Sequence, residues 1–373
     1  MPDDMRAAPI AALSPFLLAR ALAPGARHPA RYALGLGKID TPDGPAHVHD
    51  VDTLPFPFCT LTRHSTAIAA RGRPLLLVSP ISGHYPLLMR DLAAQFLPDR
   101  PVYIPHWINA RDVPLSAGGF SIDDQISYLA AMIEHLGADT DVVALCQAGV
   151  PTLVASALVA EQDPGAAPRS LTLMASPIDP LANPTSVVTA LRAKSLNWYR
   201  HSVLKRVGRN EPGEGRLVYP ATTQLSGILT YLSRHIRTGG ELFYKTMADD
   251  GLDPVRYPFV ALLTSLMDLP GEVFLSNIET VFHQRRICDA APRFLNRDID
   301  LASLARTKLL TIEGERDDIA APGQTSAAHD LCPGIEGQAR GALILRNSGH
   351  FSLFYGALAR DTVAPQILAF AES

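Results

Sequence analysis

The sequence lacks long hydrophobic runs, an excess of basic residues and a cationic N-terminus. No stretch of about 18 uncharged apolar residues occurs, which argues against a membrane-spanning helix. The formal net charge is -4 and no basic stripe is present, which argues against nucleic-acid binding. Residues 1–6 contain two acids where a secretory signal would have net positive charge. We therefore expect a cytoplasmic protein with no transmembrane segment.

Cysteines are few, and their spacing is not that of a metal-binding motif. The four cysteines, Cys59, Cys146, Cys288 and Cys332, form no C-x-x-C pair, which predicts neither a zinc site nor a disulfide framework. This usage is typical of a reducing compartment. The sequence also contains no H-E-x-x-H motif and no phosphate-binding loop. We expect no metal and no nucleotide or nicotinamide cofactor.

Short apolar runs alternate with helix-length segments over two parts of the chain. This pattern predicts an α/β fold with a mostly parallel central sheet and helices on both faces. One predicted helix begins at a capping box, Ser121 with Asp124, and stops at Gly137. The predicted strands lie at Leu75–Val78, Val102–Ile104, Val142–Leu145, Ser170–Met174, Leu309–Ile312 and Ala342–Leu345.

The alternation is lost between Asp179 and Lys308, where aromatic and helix-like segments predominate. At 373 residues the chain has room for a core with a sizeable insertion. The expected division is an N-terminal segment over residues 1–60, a first core part over 61–180, a helical lid over 181–305 and a second core part over 306–373.

One strand ends at a cysteine and passes directly into a segment rich in small residues. A tight strand-turn-helix that carries a nucleophile needs small residues two positions before and after it, and Ala144 and Ala148 meet this demand. The N-terminus of the following helix favours a thiolate at Cys146. The alternative is that Cys146 is a small buried hydrophobic residue that closes the strand.

Two further strands end in residues that complete a catalytic set. The strand at Leu309–Ile312 leads into an acidic loop over residues 313–318, and the strand at Ala342–Leu345 leads to His350. Nucleophile, acid and histidine thus occur in the chain order of the α/β-hydrolase triad. Ligand sites of open α/β sheets lie beyond the carboxyl ends of the strands, so we expect these residues to meet there.

The loop after Leu75–Val78 occupies the position that supplies an oxyanion-hole N–H in hydrolases of this order. We expect the backbone N–H of Ile81 or Ser82 to act there, together with that of Gln147, the residue after the cysteine. His84 and Trp107 are candidates for shaping the substrate pocket.

From about Pro57 to the C-terminus, the sequence resembles the intracellular polyhydroxybutyrate depolymerase family. The matching runs of the first half are Pro57-Phe58-Cys59, Ser82-Gly83-His84-Tyr85, Ala110-Arg111, Val113-Pro114, Cys146-Gln147, Val150-Pro151, Leu173-Met174, Pro177-Ile178-Asp179 and Asn183-Pro184-Thr185. Those of the second half are Gly215-Arg216, Val218-Tyr219-Pro220, Arg234-His235, Met267-Asp268-Leu269, Glu313-Gly314-Glu315, Asp317-Asp318-Ile319, Gly323-Gln324-Thr325 and Gly349-His350.

The resemblance implies an α/β-hydrolase fold with a cysteine, histidine and aspartate triad, which transfers to Cys146, His350 and Asp317. Polymer synthases of the same fold place the acid at the first position of a similar Asp-x-Ile loop, which favours Asp317 over Asp318. The implied activity is ester hydrolysis of poly(3-hydroxybutyrate) or a related polyhydroxyalkanoate through a thioester, at a polymer granule in the cytoplasm. Coenzyme A is an alternative acyl acceptor to water.

Three other functions remain open from the sequence. A general esterase or thioesterase is one, because residues near the nucleophile depart from the family pattern: Ala148-Gly149 follows Cys-Gln, where the family usually has a proline. A polyhydroxyalkanoate synthase-like acyltransferase also uses a cysteine at this turn. The third is a catalytically silent granule-associated protein that has kept the fold.

Overall fold

The computed structural model describes residues 34–67, 72–82, 85–255, 257–289 and 292–373. Its centre is an eight-stranded sheet. In order across the sheet, the strands are Arg340–Leu345, Lys308–Gly314, Ser170–Met174, Asp141–Leu145, Leu75–Val78, Val102–Trp107, Cys59–Ser65 and His49–Phe56. The first six pair in parallel and the last two are antiparallel. The predicted mostly parallel α/β sheet is therefore confirmed.

The central strands Leu75–Val78, Asp141–Leu145 and Ser170–Met174 are buried along their whole length because both faces of the sheet are covered. Leu76 and Val78 pack into one hydrophobic cluster, whereas Leu75 and Leu77 pack into a second cluster on the opposite face. All four are fully buried. This alternation follows from the two-residue repeat of a strand.

Helices on both sides connect the parallel strands. The main ones are Arg90–Phe96, Ile122–Leu136 and Gly149–Gln162, with a short helix at Ala328–Leu331, and the helix Ala364–Glu372 follows the last strand. The predicted capping box is present, because the Ser121 side chain accepts from the Asp124 backbone N–H while the Asp124 carboxylate accepts from the Ser121 N–H. That helix ends at Gly137, as the sequence predicts.

The sheet begins earlier in the chain than the expected boundary at residue 60. Strand His49–Phe56 pairs with Cys59–Ser65 through a tight turn and extends the sheet at its edge. Its side chains are mostly exposed, so it has no apolar signal in the sequence. Before it, Lys38–Thr41 and Gly44–His47 form a separate two-stranded hairpin.

Residues 181–305, called here the insertion, are mainly helical. Their helices are Ser186–Arg192, Leu196–Ser202, Ala221–Thr238, Glu241–Ala248, Phe259–Leu263 and Gly271–Asn277, followed by a π-helical turn at Ile278–His283. Leu217–Tyr219 pairs with Lys205–Arg206 and with Leu269–Pro270, and Arg293–Phe294 pairs with Arg297–Asp298. Within the described residues, no strand of the insertion joins the central sheet.

Buried polar contacts attach the insertion to the core. The guanidinium of Arg216 donates to the carbonyl oxygens of Val113, Pro114 and Gly118 at 3.2, 2.6 and 2.8 Å. Arg111 of the core donates from Nη2 to Oδ2 of Asp268 at 2.8 Å. Charged donors and acceptors removed from water need such partners, so these contacts define how the insertion sits over the sheet. No helix of the part that the structure describes has the length and apolar character to cross a membrane.

Candidate active site

Cys146 lies at a sharp turn between the strand Asp141–Leu145 and the helix Gly149–Gln162. Its backbone φ is 51°, in the left-handed region that costs a non-glycine residue about 1–2 kcal/mol. Ala144 and Ala148 on either side are fully buried. Larger side chains at these two positions would clash with the surrounding core, which explains the small residues that the sequence pattern singled out.

The turn also depends on a close approach between Gly149 and Ser176. A Cβ atom on Gly149 would lie 2.4 Å from the Cβ of Ser176, a separation that real atoms do not adopt. Glycine at the start of this helix therefore lets it pack against the end of the neighbouring strand, Ser170–Met174.

His350 and Asp317 meet beyond the carboxyl ends of their strands. His350 Nδ1 lies 2.7 Å from Asp317 Oδ2, and the two residues are 3% and 4% exposed. The other carboxylate oxygen, Oδ1, accepts the backbone N–H groups of Ile319 and Ala320, both at 2.8 Å. Both oxygens of Asp317 therefore have partners, which holds the carboxylate in one orientation.

Cys146 and His350 line the same cavity, and the His350 ring interacts electrostatically with the Cys146 side chain. Burial alone would lower the pKa of His350, but the negative charge of Asp317, the electrostatic interaction with Cys146 and the hydrogen bond to Asp317 raise that pKa well above the usual 6.5. Cys146 is only half-buried. A half-buried thiol in the same cavity as an imidazole that contacts a buried carboxylate is an arrangement suited to nucleophilic chemistry.

Asp318 points away from His350 and binds the insertion instead. Its carboxylate accepts a short hydrogen bond from the Tyr231 hydroxyl and lies 2.9 Å from His235 Nε2. Burial and the nearby charge of Asp318 raise the pKa of Tyr231, so its hydroxyl keeps the proton that it donates. Two adjacent aspartates thus have different partners, and the one that contacts His350 is Asp317.

A cavity of about 260 Å³ opens at Cys146. The described residues that line it are Ser79, Pro80, Ser82, Tyr85, Pro86, Leu88, Met89, Leu145, Cys146, Gln147, Val187, Gly227, Ile228, Tyr231, Leu263, Ile319, His350, Phe351 and Phe354. Most of these are apolar, and the wall opposite the sheet comes from the insertion. The cavity therefore favours an uncharged ligand of low polarity.

The oxyanion-hole candidates divide into two groups in the structure. Ser82 and Gln147 line the cavity beside Cys146. The Gln147 backbone N–H belongs to the first turn of the helical segment Cys146–Ala148, where such groups lack an intrahelical acceptor. Ile81 is 4% exposed, packs in the core and is not among the described lining residues.

The two pocket candidates have different outcomes. Trp107 is 4% exposed and donates from Nε1 to the Ser79 carbonyl oxygen at 3.1 Å, and its ring packs against Phe120 in the core. It is not one of the described cavity residues, so its contact with the site runs through the backbone of Ser79. His84 lies outside the described residues. Among the residues that are described, no group of three or more His, Cys, Asp or Glu side chains has a metal-binding arrangement.

A comparison with protein families identifies the chain. The family model described as "PHB de-polymerase C-terminus" matches residues 175–373, which is more than half of the sequence. The chain belongs to this family. The resemblance on which the sequence analysis relied is therefore confirmed. The part that matches the PHB de-polymerase model includes Asp317 and His350 and begins after Cys146.

Solved structures share the α/β-hydrolase fold with this PHB de-polymerase family member. A bromoperoxidase from Bacillus anthracis matches with a TM-score of 0.51 and 11% identity, over 87% of this chain and 100% of that one. A putative non-heme bromoperoxidase from Mycobacterium tuberculosis matches with a TM-score of 0.48 and 14% identity, over 88% and 97% of the two chains. The first similarity supports the fold and nothing finer. No curated protein matches the sequence.

Two features of the site were absent from the sequence analysis. The first is the contact of Tyr231 and His235 with Asp318, although Arg234-His235 was among the runs shared with the PHB de-polymerase family. The second is Glu241, whose side chain accepts a short hydrogen bond from Ser352 and lies so close to Gly349 that a Cβ there would be 2.4 Å from Glu241 Oε2. Burial raises the pKa of Glu241. No local pattern signals either contact, because each joins the insertion to a distant core loop.

Proposed function

We propose that the protein is a carboxylic ester hydrolase that depolymerises poly(3-hydroxybutyrate) or a related polyhydroxyalkanoate. The family membership supports ester hydrolysis and a polyester substrate. The observation that carries the proposal is the presence of Cys146 and His350 in one apolar cavity, with His350 hydrogen-bonded to the buried Asp317. In it, Cys146 is the nucleophile, His350 the general acid and base, and Asp317 the group that orients His350.

Acylation begins when His350 takes the proton of the Cys146 thiol, which leaves a thiolate beside an imidazolium that the carboxylate of Asp317 stabilises. The thiolate attacks the ester carbonyl of a 3-hydroxyacyl unit. The negative oxygen of the tetrahedral intermediate accepts from the backbone N–H groups of Gln147 and Ser82, each contributing roughly 3 kcal/mol of barrier reduction. The intermediate collapses to a thioester on Cys146. His350 gives its proton to the departing alcohol oxygen, while Asp317 holds the ring tautomer.

Deacylation uses the same groups in the opposite direction. Neutral His350 accepts a proton from water, which attacks the thioester carbonyl and releases the acid. The Cys146 sulfur leaves as a thiolate beside the imidazolium. If coenzyme A replaces water as the acceptor, the product is an acyl-CoA and the proton transfers are unchanged. The choice of acceptor changes the product, whereas the catalytic residues are the same for both acceptors.

The cavity's composition supports a water-poor polymer chain as the substrate. Gly227, Ile228 and Tyr231 of the insertion form one wall of the cavity, and the core forms the other. In this proposal, residues 181–305 act as a lid over the reacting ester and exclude bulk water. The proposal includes a cytoplasmic location and contact with the surface of polymer granules, which is where this substrate occurs.

The deciding experiment compares wild type, Cys146→Ala and Cys288→Ala on amorphous polyhydroxybutyrate granules. Release of 3-hydroxybutyrate and its oligomers is measured by chromatography. Cys288 is a matched control, because it is also half-buried and free, and burial raises its pKa to about 11. We expect release by wild type and Cys288→Ala and none by Cys146→Ala.

Each other result assigns the protein to a different class. Cleavage of soluble short esters without polymer release would indicate a general esterase or thioesterase. Incorporation of 3-hydroxyacyl-CoA into polymer would indicate a synthase-like acyltransferase. Granule binding that is equal in wild type and Cys146→Ala, with no turnover of either substrate, would indicate a non-catalytic granule protein.

A further inference from the structure

Gly227 occupies an unusual place in the helix Ala221–Thr238, called here the insertion helix. It lies well inside the helix, where glycine is the least favourable residue except proline because it loses the most backbone freedom. Its neighbours on the same face, Ile228 and Tyr231, line the cavity, and Gly227 lines it with them.

The usual structural reasons for a glycine do not apply to Gly227. Its φ is not positive, so the backbone conformation is open to any residue. A Cβ atom at this position would meet no atom within 4 Å, so no neighbouring element approaches too closely. By contrast, Gly149 and Gly349 would each place a Cβ 2.4 Å from another side chain. Gly227 is therefore not required by packing. It is exposed and also lines the cavity, so the space left by its missing side chain lies at the cavity wall.

The size of the cavity indicates what this space is for. An apolar cavity of about 150 Å³ is known to hold a benzene molecule. The present cavity is about 260 Å³ and has apolar walls from both the core and the insertion. It therefore has room for an acyl group with a longer apolar chain than a single short hydroxy-acid unit.

We infer that Gly227 is a specificity-determining residue, whose missing side chain lets the cavity accept acyl groups with long alkyl chains. The inference rests on the proposed function, because the acyl group is that of the ester cleaved at Cys146. On this inference, a side chain at position 227 takes cavity volume that the distal part of a long chain needs, whereas a short acyl group on Cys146 still fits. Long acyl chains would then be excluded and short ones retained.

The test measures how fast thiol-reactive reagents of different length reach and react with the Cys146 thiol in the cavity, and it does not depend on hydrolysis. S-alkyl methanethiosulfonates carrying methyl, n-butyl or n-octyl groups react with a thiolate, which attacks the alkyl-bearing sulfur, forms a mixed disulfide and releases methanesulfinate. The labelling rate of Cys146 is measured by peptide mass spectrometry, with Cys146→Ala as the blank. The proteins are wild type, Gly227→Ala, Gly227→Val and Ser226→Val. Ser226 is the matched control, since it is an exposed neighbour in the same helix that is not among the cavity residues.

We expect Gly227→Val to slow n-octyl labelling by about tenfold or more, the penalty typical of overfilling an apolar pocket. Methyl labelling should equal that of wild type, and Gly227→Ala should fall between the two. Ser226→Val should label like wild type with all three reagents. Gly227→Ala should melt at or above the wild-type temperature, because alanine favours the helix and meets no atom.

Three results would overturn the inference. Gly227→Val could slow methyl and n-octyl labelling equally, or leave n-octyl labelling unchanged. Ser226→Val could slow n-octyl labelling as much as Gly227→Val does. Hydrolysis of p-nitrophenyl acetate, butyrate and octanoate is measured in parallel with the same proteins. A further outcome is that wild type cleaves none of these esters and no polymer, while substitution of Gly227 still slows labelling by the n-octyl reagent and not by the methyl reagent. In that case the proposed function fails and the role of Gly227 in the cavity stands.

Discussion

His350 Nδ1 lies 2.7 Å from Asp317 Oδ2, whereas the adjacent carboxylate of Asp318 binds Tyr231 and His235 of the insertion. One short loop therefore serves two sites. Asp317 has its second oxygen held by two backbone N–H groups and contacts the site histidine. Asp318 joins the same loop to the insertion helix. This division makes the two carboxylates separable by mutation.

Asp317→Asn should lower kcat for ester hydrolysis by about 10⁴-fold, the effect of the same change in a serine triad, because the amide favours the wrong tautomer of the histidine. Asp318→Asn keeps one acceptor oxygen for Tyr231 and should change kcat less than about tenfold. Steady-state kinetics on a soluble ester measures both. Equal losses in the two variants would contradict the assignment of the acid.

The pKa of His350 should lie well above 6.5 in wild type, and Asp317→Asn should lower it. Burial opposes the charged ring, and the charges of Asp317 and Cys146 outweigh burial. An NMR titration of the His350 ring in both proteins checks this. In Asp317→Asn, a lower pKa means that His350 loses its proton at a lower pH. The fall of kcat/KM on the alkaline side should therefore also occur at a lower pH than in wild type.

The same shift predicts how the stability of the protein depends on pH. The folded pKa of His350 exceeds the unfolded one, so its protonation contributes stability that is fully present below about pH 6.5. This contribution is lost as the pH rises through the folded pKa. Urea unfolding of wild type and His350→Gln at several pH values should give a wild-type advantage that declines with rising pH. An advantage that grows with pH would be inconsistent with the raised pKa.

Tyr231→Phe should loosen the insertion helix while leaving the cavity wall in place. The change removes the hydroxyl that donates to Asp318 and keeps the ring that lines the cavity. A hydrogen bond to a charged group contributes about 1.5–3 kcal/mol, and the half-exposed Asp318 favours the lower end. Hydrogen exchange should become faster in 221–238. Tyr244→Phe is the control, because Tyr244 is 65% exposed in the same insertion and should change nothing.

Glu313 should stabilise the fold because one of its side-chain oxygens accepts hydrogen bonds, and not because its side chain fills space. It is 1% exposed, and its Oε1 accepts the backbone N–H groups of Gly323, Thr325 and Ser326 at 2.9, 2.8 and 3.0 Å. Glu313→Ala would leave three donors without an acceptor, at about 1–3 kcal/mol each. Glu313→Gln retains a carbonyl oxygen there and should recover most of the loss. Urea denaturation of wild type and the two variants measures the free energy of unfolding. Equal losses of this free energy in Glu313→Ala and Glu313→Gln would contradict the prediction.

Much of the fold follows from local sequence patterns. The buried strand Leu75–Val78, the capped helix Ile122–Leu136 and the turn at Cys146 depend on residues close in the chain, and all three were predictable. The edge strand His49–Phe56 was not, because its exposed polar residues lack the apolar signal of a strand and its conformation depends on its partner, Cys59–Ser65.

By itself, the sequence determined the strand-turn-helix at Cys146, the α/β order and the identities of the candidate site residues, since each of these rests on local steric and hydrophobic patterns. Only the tertiary structure decided that Asp318 binds the insertion, that Trp107 packs in the core and that Gly227 lines the cavity. The first and third of these facts depend on where the insertion lies relative to the sheet. Asp318 lies more than eighty positions from its partners Tyr231 and His235, and no spacing along the chain encodes that contact.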